Sequence, residues 1–254
     1  MDSTSTFALL GAAAFGAGVL NAVAGGGSFL TFPALVYAGI PPIAANATSA
    51  LAVSPGYLGG VWGFKTELRA LDRSLLHREI GVSAVGGVCG AILLLVTPAR
   101  LFSGLVPWLL LFATLLFMLG PTLARRGQNA QTGANGLAVW HTPALFAVAV
   151  YGGYFNGGLG ILLMALYTLS GETRLHTVNA LKNLNSFVLS VLSVAAFAWA
   201  GAIVWREAAL MMVAATLGGF AGARLARRLP VQWVRAIVIA TGLAMSTVFF
   251  LRMH

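Results

Sequence analysis

Residues 86–119 read GGVCGAILLLVTPARLFSGLVPWLLLFATLLFML, and residues 218–251 read GGFAGARLARRLPVQWVRAIVIATGLAMSTVFFL. The second stretch repeats the first at a constant offset of 132 residues. An internal repeat of this length predicts a fold made of two related halves. The identical pairs include Gly86 and Gly218, Gly87 and Gly219, Gly90 and Gly222, Ala91 and Ala223, Pro98 and Pro230, Phe117 and Phe249, and Leu119 and Leu251.

The loops inside the two copies differ in charge. The first copy carries only Arg100, whereas the second carries Arg224, Arg227, Arg228 and Arg235. Short basic loops of membrane proteins stay on the cytoplasmic side. The two copies are therefore predicted to face opposite sides of a bilayer, and such inverted repeats are typical of transporters.

The composition is that of a membrane protein. Of 254 residues, 59% are hydrophobic and 8% are charged, and the mean hydropathy is +0.88; a soluble protein carries about a quarter charged residues. The net charge of +9 resides in short loops between apolar runs, which is a topology signal and not a nucleic-acid surface. The single Cys89 excludes an intrachain disulfide and is expected to pack between helices.

Five apolar segments occur in each half, which is the odd number that inversion requires. A spanning helix needs about 20 residues, and the shorter segments 28–39, 142–156 and 157–170 are flanked by glycine. The segment 7–24 ends in a sequence like a signal-peptidase site, but no basic residue precedes it, so we expect it to be mature structure. The other segments are 43–63, 79–97, 105–123, 177–200, 207–224 and 232–251.

These segments predict an all-α polytopic membrane protein with two inverted-topology repeats, 1–124 and 141–254, joined by a polar cytoplasmic linker, 125–140. The basic stretches 65–78, 125–126 and 224–235 are predicted to be cytoplasmic. Both termini then lie outside. The short hairpins either cross the bilayer fully or re-enter, and both arrangements give the same topology.

Glycine runs are predicted to break the helices at matching places in the two halves. Gly25-Gly26-Gly27-Ser28 follows Asn21, and Gly157-Gly158-Leu159-Gly160 follows Asn156. Consecutive glycines are costly within a helix, and a break in a bilayer persists only where protein or a water-filled cavity satisfies the backbone. The helix beginning after each break directs its positive dipole end inward, so two such ends predict an anion site. The glycines expected to serve close helix packing instead are Gly81, Gly86, Gly87, Gly90, Gly218, Gly219 and Gly222.

Lys182 is the most suggestive single side chain, because it is the only cation well inside an apolar segment. An intramembrane charge indicates function; the alternative is that it snorkels to the interface. Asn179 and Asn183 lie one helical turn apart beside it, whereas Asn185 is expected to bond to another helix. The stretch 45–51 aligns with 178–184 when one residue is inserted, and its Asn46, Thr48 and Ser49 supply neutral donors.

The predicted membrane-spanning segments are expected to contain no carboxylate side chain and no group of metal-binding side chains. Each carboxylate is expected at a segment end or in a loop, so none is available inside the membrane for H⁺ or Na⁺. The histidines form no metal set, and the chain has no Ser–His–acid or HExxH arrangement, so neither an enzyme nor a cofactor is expected. The residues concerned are Asp2, Glu67, Asp72, Glu79, Glu172, Glu207, His77, His141, His176 and His254.

Four motifs resemble the TauE/SafE family of bacterial sulfite and organosulfonate exporters. They are GGG at 25–27 with Pro33, YGGYFNGGLGILL at 151–163, NALKN at 179–183 and GGFAGAR at 218–224. The resemblance covers nearly the whole chain, with one departure: the family usually has a small residue at the position of Asn156. It implies a carrier of sulfur-containing anions, such as sulfite, sulfoacetate or thiosulfate, in a bacterial inner membrane.

We therefore expect an exporter that moves such an anion down the membrane potential through a site between the two breaks. The alternatives are an anion channel and a non-transporting membrane subunit of a complex. The expected partners are the small anion, the lipid bilayer and, in a homodimer, a second copy. The predicted site comprises backbone donors at Gly26, Gly27, Ser28, Gly158 and Gly160, and side chains of Asn21, Asn46, Ser49, Asn156, Asn179, Lys182 and Asn183.

Overall fold

The architecture is that of a computed structural model, which describes residues 3–24, 26–127, 139–225 and 231–252. Within these ranges the chain is all-helical, as predicted. Outside these ranges lie Gly25, most of the predicted linker and the stretch 226–230, which contains Arg227 and Arg228. The helices are α1 (Ser3–Ala24), α2 (Ser28–Tyr37), α3 (Pro42–Gly63), α4 (Lys65–Arg69), α5 (Arg73–Val96), α6 (Ala99–Gly127), α7 (His141–Tyr154), α8 (Leu159–Leu169), α9 (Leu175–Trp199), α10 (Trp205–Leu225) and α11 (Val231–Arg252).

Each predicted apolar segment coincides with a helix, but α5 begins earlier than its segment. Asp72 precedes the helix, and its carboxylate accepts a hydrogen bond from the backbone N–H of Ser74 at 3.3 Å. This cap stabilises a polar first turn that hydropathy does not reveal. Glu79 is therefore the seventh residue of α5 and does not lie at a segment end.

Several helices are long and apolar enough to cross a bilayer. Among the described residues these are Thr4–Ala22, Arg73–Val96, Ala99–Leu116 and Leu175–Trp199. The shorter apolar helices include α2 and α8, which begin at the two glycine breaks. Many large apolar side chains lie on the outer surface, as lipid contact requires. The chain is a multi-pass membrane protein.

Helix contacts follow the same pattern in both halves. The contact of α1 with α10 corresponds to that of α7 with α5, and the contact of α3 with α10 corresponds to that of α9 with α5. Likewise α2 packs on α11 and α8 packs on α6. The first helix of each half thus packs on the other half. Two related halves predict such matching, whereas their opposite orientation in a membrane and the boundaries 124 and 141 stay predictions.

Glycines permit the close crossing of α5 and α7. A Cβ at Gly90 would lie 2.1 Å from the Val150 carbonyl oxygen, and a Cβ at Gly86 would lie 2.6 Å from the Ala149 Cβ. Both distances are too short for any side chain, so these positions require glycine. The prediction of close packing is confirmed at both.

The crossing of α1 and α10 uses the equivalent glycines. A Cβ at Gly218 would lie 2.0 Å from the Phe15 carbonyl oxygen, and a Cβ at Gly222 would lie 2.7 Å from the Val19 Cα. Val19 therefore occupies the place that Val150 has in the other crossing. The packing prediction is wrong at Gly81, because a Cβ there would meet nothing within 4 Å.

Candidate anion site at the two helix breaks

The first break lies between α1 and α2, as the glycine run predicts. Gly26, Gly27 and Ser28 are buried. A Cβ at Gly27 would lie 2.7 Å from the Ala17 carbonyl oxygen, so only glycine fits beside α1. No side chain at the N-cap bonds to the first turn of α2, which leaves that turn without the usual side-chain acceptor.

The second break lies between α7 and α8. Gly158 precedes α8 with φ +78°, a left-handed conformation that favours glycine. The Tyr151 hydroxyl donates to the Gly157 carbonyl oxygen at 2.8 Å and so holds the broken backbone. The first turn of α8, which contains Gly160, again has no side-chain cap.

Asn46 of α3 fixes the second break from the opposite side. Its Nδ2 donates to the Tyr154 carbonyl oxygen at 3.1 Å, and its Oδ1 accepts from the Asn156 backbone N–H at 3.3 Å. The sequence predicted Asn46 near the anion, and it does lie at the break. Its amide is occupied by backbone, however, so its contribution is to hold the break open.

Asn156 has a buried side chain whose amide is unpaired. The residue is 3% exposed, and neither Nδ2 nor Oδ1 has a partner in hydrogen-bonding geometry. The Tyr57 phenol lies close enough to Ser28 and Asn156 to interact with both. Because Ser28 begins α2, Tyr57 links the two breaks. An unpaired buried amide costs about 1–3 kcal/mol, and a bound anion would remove the part that belongs to Nδ2 by accepting its hydrogen bond.

Asn21 lies beside the first break, as predicted. A Cβ at Gly56 would lie 3.1 Å from the Asn21 Nδ2, and a Cβ at Gly27 would lie 3.2 Å from the Asn21 Cβ. The side chain therefore sits between α3 and the start of α2. Its amide group is thus positioned on the same side of α3 as Gly56.

Other predicted site residues bond elsewhere. The Ser49 hydroxyl pairs with Thr31 at 2.6 Å. On α9, Asn179 Nδ2 donates to the Leu175 carbonyl oxygen at 3.0 Å, and Asn183 Nδ2 donates to the Asn179 carbonyl oxygen at 2.9 Å. The described contacts thus connect Asn21, Asn46 and Asn156 to the breaks. They direct the side chains of Ser49, Asn179 and Asn183 to other partners. Their role in binding stays a prediction.

Lys182 is 6% exposed and lies on α9, which packs against α3 and α5. Within the described chain, ion pairs join His141 to Glu79 and Arg174 to Glu172, and Lys182 belongs to neither. Its side chain is buried between helices and does not extend to an exposed helix end.

Ser186 is a buried residue of the interior that the sequence analysis missed. Its hydroxyl has no hydrogen-bond partner. On the same helix, Asn183 lies against Gly60, and the Ser190 hydroxyl donates to the Ala50 carbonyl oxygen at 3.4 Å. Ser186 lies between these contacts, and so faces the middle of α3. A serine in an apolar helix gives no sequence signal for such a position.

The expectation that every carboxylate lies at a segment end or in a loop is wrong for Glu79. Glu79 is 0% exposed, and its Oε1 pairs with Nε2 of His141 at 2.9 Å. Its Oε2 accepts hydrogen bonds from the Tyr167 hydroxyl and from Asn185 Nδ2, the latter at 3.1 Å. Asn185 bonds across helices as predicted. His141 is 1% exposed within this cluster.

The turn between α8 and α9 carries an ion pair between Glu172 and Arg174. Burial alone would raise the pKa of Glu172, but hydrogen bonds and charge from Arg174 outweigh it, and the pKa of Glu172 is lowered. The Arg174 guanidinium contacts the carboxylate at 2.9 Å and is itself largely exposed. This carboxylate therefore stays ionised at neutral pH.

A family model described as "Sulfite exporter TauE/SafE" matches residues 10–249. The chain belongs to the TauE/SafE family. Three relatives are each 28% identical: "Probable membrane transporter protein ORF9" of Sinorhizobium sp (94% of this chain, 90% of the relative), "Probable membrane transporter protein" of Haemophilus influenzae (94% and 92%) and "Probable membrane transporter protein YfcA" of Escherichia coli K12 (91% and 84%). No solved structure matches significantly. This TauE/SafE protein is a membrane transporter, and its family is one of transporters and not of enzymes.

Proposed function

We propose that this TauE/SafE protein exports a small sulfur-containing anion, such as sulfite or an organosulfonate, through the site between the two helix breaks. The observation that carries the proposal is the unpaired, buried amide of Asn156 beside the uncapped start of α8. The family description supports the chemical class of the anion.

The donors around the breaks suit a sulfonate or sulfite group. Its oxygens only accept hydrogen bonds when ionised, and Asn156 Nδ2, Asn21 Nδ2 and the Tyr57 hydroxyl are donors. The starts of α2 and α8 add positive dipole ends, while the N–H groups of Phe29, Leu30, Leu159 and Ile161 donate to backbone carbonyls. Glu79, the buried carboxylate, bonds to side chains of other helices.

The membrane potential supports export as the direction. With the cell interior negative, a monovalent anion leaving the cytoplasm gains about 2.3 kcal/mol per 100 mV, and a divalent anion twice that. Export is thus downhill without a coupling ion. The sequence-based reason for uncoupled export, the lack of an interior carboxylate, no longer holds because of Glu79, so the proposed direction rests on this energy.

The test is radiolabelled anion flux in proteoliposomes under an imposed K⁺-diffusion potential, with Na⁺ and H⁺ gradients collapsed. We expect sulfite or an alkylsulfonate to move towards the positive side. Counterflow that saturates with substrate distinguishes a carrier from a channel. Flux that needs a Na⁺ gradient contradicts the mechanism, and no flux of any sulfur anion supports a non-transporting subunit.

Asn156→Leu tests the site itself, because leucine keeps the approximate volume and removes both polar atoms. A hydrogen bond to a charged group contributes roughly 1.5–3 kcal/mol, so the affinity for the anion should fall by about ten- to hundredfold. Thr168→Val is the matched control, since Thr168 bonds only to its own helix at the far end of α8. Equal affinities in the two variants would remove Asn156 from the site.

A further inference from the structure

Glu79 and His141 belong to a continuous buried network. His141 Nδ1 contacts the Ser170 hydroxyl at 2.9 Å while its Nε2 contacts Glu79. On the other side of the carboxylate, Ser83 donates to Asn185 Oδ1 at 2.8 Å. The network joins α5, α7 and α9 to the end of α8.

The network accommodates two protonation states of the histidine ring. When neutral His141 donates from Nε2 to Glu79, its Nδ1 accepts from the Ser170 hydroxyl. When the ring carries a second proton on Nδ1, the same hydroxyl turns and accepts instead, because a serine both donates and accepts. Adding a proton therefore requires only a rotation of one hydroxyl group.

The equivalent place in the other half is entirely apolar. Equivalent residues of the two halves are 132 positions apart in α5 and α10, and also in α2 and α8. The separation is 131 positions in α1 and α7 and 133 in α3 and α9. The matched glycines, valines and asparagines indicate these values. At these offsets the counterparts of Glu79, Ser83, His141, Tyr167 and Asn185 are buried Met211, Ala215, Leu10, Leu35 and Ala52.

The fold thus forms the same helix contacts around aliphatic side chains, and packing alone does not require the polar network. A buried ion pair is often no more stabilising than well-packed hydrophobic residues. Ionisable residues inside a membrane protein indicate function. The network therefore serves a purpose that the aliphatic half does not share.

The network lies at the base of the hairpin whose tip forms the second break. His141 is the first residue of α7, and Ser170 directly follows α8. The tip of this hairpin holds Asn156 and Gly158. Because Glu79 holds both ends of the hairpin base through His141 and Tyr167, a change at the network can move the tip.

The proton has a short path from one membrane face. Glu79 lies about 9 Å along the axis from the start of α5, on the side of α4 and its basic residues, which is predicted to be cytoplasmic. The titratable and charged groups around the carboxylate are Arg78 beside it on α5, His141 on α7, Tyr167 on α8 and Lys182 on α9. Lys182 lies one turn from Asn185. His77 and His176 are exposed nearer the helix ends.

We propose that the Glu79–His141 pair binds one proton during the transport cycle and that its protonation controls the α7–α8 hairpin and hence the rate of anion transport. The proton comes from water on the cytoplasmic side, forms one N–H or O–H bond, and changes the charge of the pair from −1 to 0. This inference rests on the proposed anion transport at the second break.

The test is the pH dependence of alkylsulfonate flux, since an alkylsulfonate keeps one charge in this range. The pH is equal on both sides and the K⁺-diffusion potential is fixed. We expect the wild-type rate to change about tenfold between roughly pH 5.5 and 8.0, with the slope of one proton. Glu79→Gln and His141→Gln should transport at rates that no longer change with pH.

Glu172→Gln is the matched control, because this carboxylate pairs with Arg174 in the turn after α8 and is not part of the network, and its profile should follow the wild type. A wild-type profile in Glu79→Gln overturns the inference. Absence of flux in every protein, wild type included, contradicts the proposed function and leaves the proton site to a second measurement.

That second measurement needs neither substrate nor a folded variant of Glu79. Infrared difference spectra of the purified wild type, recorded between acid and neutral pH in H₂O and D₂O, should show a buried carboxylic acid or imidazolium band. Glu172→Gln should retain this band. A spectrum without a buried titrating group in the wild type overturns the proposal.

Discussion

Asn46 and Asn156 show how the same side chain has different roles at one break. Both are buried, but both polar atoms of Asn46 bond to backbone while those of Asn156 are unpaired. We expect replacement of Asn46 to disrupt the break, whereas replacement of the Asn156 side chain leaves the backbone hydrogen bonds of the break in place.

Lys182 offers a second test at this scale. Lys182→Met keeps the length and removes the charge, so anion affinity should fall by an amount typical of a charged hydrogen bond, roughly 1.5–3 kcal/mol, and Lys182→Arg should retain part of it. Lys65→Met is the control, because Lys65 lies over the exposed Trp62 ring at 5.1 Å. Normal binding by Lys182→Met would show that the charge has no role in recognition.

The role of an individual residue was predictable where it depends on its neighbours in the sequence. The glycine runs mark both breaks because consecutive glycines disfavour helix. The network around Glu79 was not predictable, because 62 residues separate it from His141 and no periodicity reports which helices meet. The Asn179 and Asn183 amides turn onto their own helix, a rotamer choice that spacing does not decide.

Among the helices, α5 illustrates the difference between a glycine that packs and one that does not. Gly90→Ala would place a Cβ 2.1 Å from the Val150 carbonyl oxygen, and such overpacking costs about 1–3 kcal/mol. Gly81→Ala meets nothing within 4 Å and should stabilise the helix by about 0.5–1 kcal/mol.

Thermal or SDS-induced unfolding of the purified variants, followed by circular dichroism, measures both changes. The two substitutions are on the same helix and differ only in their surroundings. If they shift the midpoint equally, the α5–α7 crossing is not as close as described.

For the whole molecule, the helix contacts cross between halves. The helix α1 packs on α10 and α7 on α5 at glycine-mediated crossings. In a transport cycle we therefore expect these mixed pairs to stay intact and other contacts to change, such as those of the α7–α8 tip with α3 and α6.

The predicted topology is tested by cysteine labelling. In a Cys89→Ala background, a cysteine at Gly133 in the predicted linker and one at Ala200 after α9 should react with a membrane-impermeant maleimide from opposite sides. Ala200 is preferable to its neighbour Gly201, whose φ of +67° strains any other residue. Labelling of both positions from the same side would refute the inverted repeat.

The order and type of the helices were predictable from hydropathy, because the apolar composition and the length of each segment follow directly from the sequence. Their pairing was not. Apolar faces that meet lipid and apolar faces that meet another helix look alike, so the contact of α1 with α10 appears only in three dimensions. The repeat at 86 and 218 indicated that two crossings exist, but not that each joins both halves.

The crossing of α1 with α10 also sets an order of events during synthesis. The ribosome completes α1 long before it reaches Trp205, where α10 begins, so the newly inserted first helix must wait in the bilayer without its partner. The first half made alone would keep the α1 contact face open to lipid or to other nascent helices. A stop codon in the linker should therefore yield a fragment that quality-control proteases remove, and co-expression of the second half should rescue it.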